Sequence, residues 1–526
     1  MSERRLKFWG WGYEGESAKP EEIAGIKEFY GALTGQQEFP DTPAPKAEEF
    51  KLAKPRLAPP DSLSDICRTD THTRLVHSMG KSLPDAVRMF DRKVPNAPDM
   101  VAYPEDDDQV EDLMDWAADA GAAVIPFGGG SSVVGGVEPA LDGDFKGVVT
   151  LSTVKMDKVL EVDRTSRAAL IQGGIRGPAI EAALKPHGLT LRHFPQSFEM
   201  ATLGGMIATR SGGHFAMHCT HIDDFVESLK MMTPAGPMES RRLPGSGAGP
   251  SPDRMMIGSE GSLGVITEAW MRLQDKPTFR ASAAATFDSF EKGAEAVRAI
   301  AQSGLDPANI RLVDANECRI NRVNDGSSHL LVLGFEAAHY DVAPKMARAI
   351  ELVRDHGGDV DEAGHMEGAI GAWRNAFIRM PYFREVVTPW GIINDTFETA
   401  ITWDQFPEFH VEVMTATHAA IKEATGKPGL VTCRFTHVYP DGPAPYYSFH
   451  AAGDRKGMLG QWQMIKEAAS DAVIDNGGTI THHHAIGRDH MPWYNDQRPL
   501  LFGDALAAAK KVLDPKGIMN PGVIVG

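Results

Sequence analysis

Apolar and polar positions along this chain follow two different periods. Short apolar runs bounded by Gly, Pro or Asp predict strands, whereas apolar residues spaced three and four apart predict amphipathic helices. In the first half the pattern predicts strands at 100–104, 122–125, 147–151 and 168–172 and helices at 106–120 and 177–187. In the second half it predicts helices at 289–303, 342–356, 407–425 and 500–513 and a strand at 329–333. This mixture predicts an α+β fold.

The same pattern predicts four segments. The first is Pro-rich and irregular with helical patches such as 20–33, and we expect it to wrap the body of the protein as an amino-terminal extension. An α+β half, a second domain and a final segment that returns to the first half follow it. The predicted bounds are 1–95, 96–276, 277–484 and 485–526.

A glycine-dense turn follows the apolar run 122–125. Residues without a Cβ let backbone N–H groups approach a ligand, and successive N–H groups in such a turn form a concave anion site. The turn matches neither G-x-x-x-x-G-K-[ST] nor G-x-G-x-x-G. It therefore predicts a diphosphate cradle of another kind, and taken alone it also fits a flexible Gly/Ser loop. The candidate residues are Pro126, Phe127, Gly128, Gly129, Gly130, Ser131 and Ser132.

Two later segments repeat this chemistry, and turn residues at 513–522 close the chain. The second segment contributes Gln196, Ser197, Met200, Ala201, Thr202, Gly205, Thr209, Arg210, Ser211 and Gly212. The third contributes Glu260, Gly261, Gly264, Val265 and Ile266. The order and spacing of the four segments resemble the FAD-binding domain of the vanillyl-alcohol oxidase type, also called the PCMH type. The resemblance implies that two small α+β subdomains hold FAD between them and that a second domain over the flavin ring selects the substrate.

Size and charge narrow the function classes. A chain of 526 residues predicts two or three domains. With 71 acidic and 53 basic residues, the net charge of -18 argues against nucleic acid as a partner, so an anionic substrate needs a local basic pocket. The four cysteines form no C-x-x-C pair, which favours a reducing cytoplasm. The start of the chain has no secretory signal and no apolar run has the length of a membrane span, which leaves peripheral membrane contact open.

A second group of residues could carry chemistry. Cys433 to Tyr439 leads to Tyr446, and then to the consecutive histidines His482, His483 and His484. On a regular strand neighbouring side chains point to opposite faces, which argues against a shared metal ion, and we predict no metal. A solvated loop, an anion site and a proton-transfer site all remain open for this triplet.

From Trp9 to the histidine triplet, the chain resembles the alkyldihydroxyacetonephosphate synthase family. The resemblance lies in the segments 9–13, 310–314, 382–385, 396–399 and 433–446 besides the flavin motifs. It places the family's active-site tyrosine on Tyr446 and its essential histidines on His482, His483 and His484. It also places the substrate-contacting arginine on Arg384 and a second arginine needed for activity on Arg311. From the residues alone, Tyr447 is an alternative to Tyr446, and either arginine could merely pair with a structural carboxylate.

The resemblance also implies an activity. FAD, bound without a covalent link, would exchange the acyl chain of acyl-dihydroxyacetone phosphate for a long-chain fatty alcohol through a covalent adduct at flavin N5, as in ether-lipid synthesis. Tyr446 would remove a proton from C1, for which we expect a pKa lowered by cationic neighbours. No peroxisomal tripeptide is present, so we expect a cytoplasmic setting. We also expect a homodimer and peripheral contact with the inner face of the membrane.

One departure from the family pattern keeps other functions open. The residues between Tyr439 and Tyr446 are rich in proline, which puts the shape of an acyl tunnel in doubt. An FAD-dependent oxidase or dehydrogenase of a 2-hydroxy acid or a phenolic alcohol is the alternative function, and a silent lipid-binding protein is a third.

Overall fold

The computed structural model describes residues 4–141, 143–215, 220–361 and 379–525. Cys219 is one of the four cysteines considered above, and it lies outside these residues. The described strands form a four-stranded, a five-stranded and a seven-stranded sheet and one two-stranded pair. Two of these sheets belong to the first half of the chain, and the seven-stranded sheet belongs to the second. None of the described helices is long and apolar enough to cross a lipid bilayer.

The four-stranded sheet joins one short strand of the predicted amino-terminal extension to three strands that follow it. Its order is β1-β2-β4-β3, in which β2, β4 and β3 are parallel and β1 is antiparallel to β2. The strands are β1 (Cys67–Arg68), β2 (Met100–Ala102), β3 (Ala122–Phe127) and β4 (Gly147–Ser152). The helices of this part and of the extension are α1 (Pro20–Thr34), α2 (Thr71–Val76), α3 (Leu83–Phe90) and α4 (Asp107–Ala120). Helices α2 and α3 lie in the predicted extension in addition to the helical patch expected at 20–33.

Helix α4 shows how local sequence sets an element that leads to the site. The Asp106 carboxylate accepts a hydrogen bond from the Gln109 N–H and caps the first turn, and Gly121 ends the helix with φ at +69°. Val110, Leu113 and Ala117 on one face pack into the core of the four-stranded sheet. β3 begins directly after this helix and leads into the glycine-dense turn. The position of the helix therefore helps to set the position of that turn.

The five-stranded sheet is antiparallel and has the order β5-β6-β10-β8-β9. Its strands are β5 (Val159–Asp163), β6 (Ala168–Gln172), β8 (Val226–Thr233), β9 (Gly236–Glu239) and β10 (Val265–Arg272), and β7 (Leu189–Thr190) pairs with β11 (Gln274–Asp275). The helices are α5 (Gly177–Leu184), α6 (Leu203–Ala208) and α7 (Pro252–Met256). Two small α+β subdomains therefore lie side by side, as in the fold class predicted from the sequence.

The seven-stranded sheet is antiparallel and has the order β15-β12-β14-β13-β17-β18-β16. Its strands are β12 (Phe279–Phe287), β13 (Asn309–Val313), β14 (His329–Ala337), β15 (Asp359–Val360), β16 (Ile392–Glu398), β17 (Leu430–Val438) and β18 (Pro443–Ala452). The helices are α8 (Phe290–Ala301), α9 (Ala315–Ile320), α10 (Ala343–Asp355), α11 (Arg384–Val387), α12 (Phe406–Thr425) and α13 (Met458–Asp475).

Side-chain alternation gives this sheet two different faces. Ile310, Leu312, Phe397, Val431, Cys433, Phe435, Tyr447 and Phe449 belong to one core with α8, α10, α12 and α13. Neighbouring side chains of a strand point to opposite faces. The residues between them therefore lie on the other face, and this face carries Arg311, Asn394, Thr396, Glu398, Thr432, Arg434, Tyr446, Ser448 and His450.

The last segment joins the two halves of the chain. Its helices are α14 (Met491–Gln497) and α15 (Leu500–Leu513). Ile518 and Met519 then pack in the core of the first subdomain, and Val124 donates its N–H to the Ile518 carbonyl. The extension makes a similar tie, because the buried Lys7 ammonium pairs with Glu385 at 2.8 Å.

Candidate functional site

A cavity of about 630 Å³ lies where the loops of the two subdomains meet the polar face of the seven-stranded sheet. This volume is within the range of cofactor and ligand sites. On the flavin-motif side the lining includes Gly128, Gly129, Gly130, Ser131, Ser132, Gln196, Ser197, Ala201, Thr202, Gly205, Thr209, Ser211 and Gly212. On the sheet side it includes Arg311, Thr396, Arg434, His437, Tyr446, His483 and His484. One cavity therefore joins the two groups of residues that the sequence singled out.

The glycine-dense turn leaves β3 directly into this cavity. A Cβ on Gly129 would lie 1.8 Å from the Met200 carbonyl oxygen, and a Cβ on Gly128 would lie 2.2 Å from the Thr202 hydroxyl. Only glycine lets the two loops meet so closely. Within the described chain, the amides of Gly129, Gly130 and Ser131 donate to no backbone or side-chain acceptor. Such a turn fits the diphosphate of FAD.

The second motif also reaches the cavity. The Thr202 hydroxyl accepts the Gly205 N–H and caps α6, and Ser211 is hydrogen-bonded to the buried His193 at 2.8 Å. Four predicted cofactor residues of the first two motifs, Pro126, Phe127, Met200 and Arg210, do not line the cavity. Arg210 instead pairs with Asp223 at 2.9 Å.

The third motif lies outside the cavity lining, and contact of Glu260, Gly261, Gly264, Val265 and Ile266 with the cofactor stays a prediction. The Glu260 carboxylate accepts the N–H groups of Ile486 and Gly487 at 2.7 and 2.8 Å. Val265 and Ile266 are buried in β10. The contacts of Glu260 therefore tie the second subdomain to the last segment of the chain.

Tyr446 lies on the polar face of β18 and lines the cavity. Its hydroxyl donates to the Thr396 hydroxyl at 3.0 Å, and the Arg434 guanidinium lies 3.9 Å from the centre of its ring. Tyr447 points the other way, stacks on Phe397 and is hydrogen-bonded to His410 at 3.1 Å. The alternation of the strand therefore selects Tyr446 over Tyr447 as the residue of the site.

The expected low pKa of Tyr446 is wrong. Burial raises the pKa of this phenol above its usual value, although Arg434 and the hydrogen bond with Thr396 act in the opposite direction. Desolvation of the phenolate outweighs the favourable effect of the guanidinium. The hydroxyl is therefore neutral at physiological pH and can donate a hydrogen bond.

The histidine triplet is held from below by Glu398, which the sequence-based analysis did not include among the site residues. The buried carboxylate accepts the backbone N–H groups of His482, His483 and His484 at 2.7, 3.0 and 2.9 Å. His483 and His484 line the cavity, whereas His482 lies behind them with its Nε2 2.6 Å from the Tyr439 hydroxyl. These N–H groups are consequently occupied by a carboxylate and are not free to bind a phosphate.

Burial raises the pKa of the Glu398 carboxyl, but the neighbouring His483 and His484 outweigh this effect and hold it well below the usual value. Burial lowers the pKa of His484 to about 3 and that of His482 well below its usual value. Glu398 is therefore ionised and His482 and His484 are neutral imidazoles at physiological pH.

The triplet lies on a bend, so the argument from strand alternation does not apply to it. Ring nitrogens of His437, His482 and His483 approach within 4.8 Å of one another, a spacing that a metal ion could use. Their hydrogen bonds already engage these rings: His437 Nε2 lies 2.7 Å from the Gly213 carbonyl, and the Nδ1 atoms of His482 and His483 lie 3.0 Å apart.

Three arginines bring positive charge to the cavity. Arg384 pairs with the buried Asp395 at 3.1 Å, and its buried Nη1 has no hydrogen-bond partner among the described residues. Burial lowers the pKa of Arg311 to about 9, with a further contribution from the nearby Arg434. Arg434 in turn pairs with Glu317 at 2.6 Å. The local basic pocket that a net acidic protein needs for an anionic substrate is therefore present.

The sequence-based prediction did not include several residues of the site, although the pattern of polar residues along β17 marks them. Thr432, Arg434 and Thr436 alternate with the apolar residues of β17, a pattern that marks one polar face within a buried strand. Lys81 gave no such signal. It lines the cavity, donates to the Lys7 carbonyl at 3.0 Å, and burial lowers its pKa to about 8.

Two family models match the chain. Residues 98–240 match the model described as FAD binding domain, and residues 276–524 match the C-terminal domain of FAD linked oxidases. A solved p-cresol methylhydroxylase with bound substrate aligns at a TM-score of 0.67 over 88% of this chain and 94% of that one, at 13% identity, and shows the shared fold. The predicted PCMH-type fold and the predicted cofactor FAD are confirmed.

The resemblance to the alkyldihydroxyacetonephosphate synthases is also confirmed. The protein of that name from Dictyostelium discoideum is 29% identical over 94% of this chain and 86% of its own length. A solved alkyldihydroxyacetonephosphate synthase is 26% identical and aligns at a TM-score of 0.80 over 98% of both chains.

Proposed function

We propose that this flavoprotein, a homologue of the alkyldihydroxyacetonephosphate synthases over nearly its whole length, exchanges the acyl chain of acyl-dihydroxyacetone phosphate for a long-chain alcohol. One observation carries the proposal. A single cavity joins the flavin-motif loops to Tyr446, to two histidines and to the arginine cluster. This exchange requires an anion-binding site and a proton-transfer site next to a flavin.

The arginines bind the phosphate in this proposal. The guanidinium group presents donors in a fixed fork that suits phosphate oxygens. The buried Nη1 of Arg384 is available for such a bond, since Asp395 engages only the Nη2 atom. Arg311 and Arg434 also attract the phosphate. Both guanidinium groups are buried, and exclusion of water strengthens the attraction between opposite charges.

The hydrocarbon chains fit a different part of the lining. Ile26 and Phe29 of α1 border the cavity together with Val387, Met380 and Phe383. Apolar walls of this kind favour acyl and alkyl chains through the hydrophobic effect. The amino-terminal extension therefore contributes directly to substrate binding in this proposal.

Proton handling falls to Tyr446 and the histidines. FAD, when bound, supplies the nucleophilic ring nitrogen at which the exchange takes place without net oxidation. The neutral Tyr446 hydroxyl and the His483 imidazole, whose ring lies nearly parallel to the tyrosine ring at a centroid distance of 6.1 Å, handle the proton at C1 of the substrate. The Tyr446 ring is buried and the His483 ring is half-buried, which limits exchange of that proton with water.

Mass analysis of products tests this proposal. The purified protein is mixed with acyl-dihydroxyacetone phosphate and a fatty alcohol, and the expected products are an alkyl ether and the free fatty acid. Bleaching of the flavin by a hydroxy acid or a phenolic alcohol, with no ether product, would instead support the oxidase or dehydrogenase alternative.

A homodimer in the cytoplasm, in contact with the inner face of the membrane, completes the proposal. The lipid character of the substrates supports membrane contact, as do the exposed Leu500, Leu501 and Phe502 at the start of α15. Sedimentation analysis tests the dimer, and cell fractionation with liposome flotation tests the location.

A further inference from the structure

Glu398 has an arrangement of contacts that exceeds what a structural carboxylate needs. It lies at the end of β16 with 2% of its surface exposed. Besides the three backbone N–H groups of the triplet, it accepts the Thr481 hydroxyl at 2.5 Å. Its Oε2 also lies 3.3 Å from His483 Nδ1. The carboxylate thus fixes both the backbone of the turn and one imidazole.

The neighbouring contacts allow a consistent assignment of protons on two rings. Within the described chain, His483 Nδ1 lies near two acceptors, the carboxylate and His482 Nδ1 at 3.0 Å. If Nδ1 of His483 carries the proton, His482 Nδ1 accepts, and His482 Nε2 must then donate to the Tyr439 oxygen at 2.6 Å. The ring contacts of His482 and His483 near Glu398 then all pair a donor with an acceptor, because an ionised carboxylate can only accept.

We propose that Glu398 is a positioning residue that holds the His483 imidazole with Nδ1–H towards the carboxylate and with an unprotonated Nε2 available to the cavity. This inference rests on the proposed function, in which His483 handles the substrate proton. A carboxylate that orients a histidine in this way also stabilises the imidazolium that forms when Nε2 accepts a proton.

Titratable groups from several elements surround His483. His437 faces it from β17 at a ring distance of 5.2 Å, Tyr446 faces it from β18, and His482 and His484 flank it in the turn. Burial holds the pKa of His437 well below its usual value, so this imidazole is neutral. Glu398 is therefore the ionised group in direct contact with His483 among the described residues that face it.

The first test needs no substrate and no change in Glu398. Selective ¹⁵N labelling of histidine in the FAD-loaded protein, with the signal assigned by His483→Asn, reports which ring nitrogen of His483 carries the proton. The expected result is protonation at Nδ1. Protonation at Nε2 would overturn the proposal, even if the protein proves to be a synthase. Because this readout is independent of turnover, absence of ether formation would count against the proposed function alone.

The second test uses Glu398→Gln, which keeps the shape and removes the charge. We expect kcat for ether formation to fall by about 10²-fold or more with a smaller change in KM, since general acid–base catalysis is lost and the phosphate contacts remain. In a His483→Asn background the same change should cost little, because Glu398 acts through His483. An equal loss in both backgrounds would show a purely structural role and overturn the proposal.

The pH profile separates charge from packing. Without the negative charge the imidazolium is less stable, so the acid limb of kcat/KM should move to lower pH in Glu398→Gln. Glu398→Asp should restore the wild-type limb at least in part. The matched control is Thr481→Val, which removes a hydrogen bond to the same carboxylate but not its charge, and it should leave the midpoint unchanged. A midpoint that moves equally in Thr481→Val would contradict the assignment.

Discussion

Glu398, the last residue of β16, and Tyr446 of β18 are direct cross-strand partners, and both side chains lie on the polar face of the seven-stranded sheet. The Tyr446 hydroxyl donates a hydrogen bond across this pair of strands to Thr396. The Glu398 carboxylate accepts the His483 N–H of the histidine turn. Side chains opposite each other in antiparallel strands lie about 5 Å apart. One sheet register therefore fixes the position of the tyrosine relative to the histidines.

We expect Tyr446→Phe to lower kcat by about 10²–10⁴-fold, because it removes one hydroxyl that handles a proton and leaves the ring in place. FAD content should be unchanged. The matched control is Tyr447→Phe, which loses the hydrogen bonds with His410 and Cys433 on the other face of the sheet and should retain activity at a cost of about 1 kcal/mol in stability for each. Near wild-type ether formation by Tyr446→Phe would remove this tyrosine from the mechanism.

Arg384→Ala should mainly raise the KM for the phosphate substrate. The change removes the Nη1 donor, which has no hydrogen-bond partner among the residues that the structure describes, so binding weakens more than the chemical step. The control is Arg455→Ala, which breaks a similar ion pair with Asp91 at 2.7 Å but does not touch the cavity lining. Steady-state kinetics measure kcat and KM of both variants. An unchanged KM in Arg384→Ala would show that this arginine only pairs with Asp395.

Gly129→Glu should abolish FAD binding while the secondary structure persists. The new Cβ would overlap the Met200 carbonyl oxygen, and the carboxylate would repel the diphosphate. Gly261→Glu should have the same outcome for a different reason, since φ is +75° and the Cβ would lie 2.7 Å from Pro126. Gly245→Glu, at a position with open space, is the control. Absorbance spectra and circular dichroism give both readouts, and full flavin occupancy in Gly129→Glu would mean that the site is misplaced.

We expect FAD to be bound without a covalent link. Covalent attachment in flavoproteins of this type often uses a histidine in or near the glycine-dense turn, where this chain has Ser131 and Ser132. Acid precipitation should therefore leave the yellow colour in the supernatant. Colour that stays with the pellet would refute this expectation.

Stability should depend on pH through Glu260. Burial raises the pKa of this carboxyl to about 7, above that of the unfolded chain. Between about pH 4.5 and 7 the folded state then binds more protons than the unfolded state, so the free energy of unfolding should fall as pH rises through this window, by at most about 3 kcal/mol. Urea unfolding at pH 5 and pH 8 measures it. Glu260→Gln should show a smaller fall, and an equal fall in both proteins would exclude Glu260 as the cause.

Local sequence determined much of the fold. The predicted bounds of the helix at 500–513 and of the strand at 168–172 agree with the structure, and the helix predicted at 407–425 begins one residue earlier. Periodicity and capping act within a few residues, so one sequence suffices to read them. The strand predicted at 329–333 extends to Ala337, because its pairing with β12 continues and no local signal marks that continuation.

The tertiary structure decided the chemistry of the site. The contact between Glu398 and His482 joins residues 84 positions apart, and no local pattern encodes it. The sign of the pKa shift of Tyr446 depends on how far burial outweighs Arg434, which becomes definite only when the strands pack. The sequence by itself supplied the residue types, the glycine-dense turn and the flavin fold. Packing determined which side chains meet and how much water they lose, because desolvation and cross-strand contacts depend on residues distant in the chain.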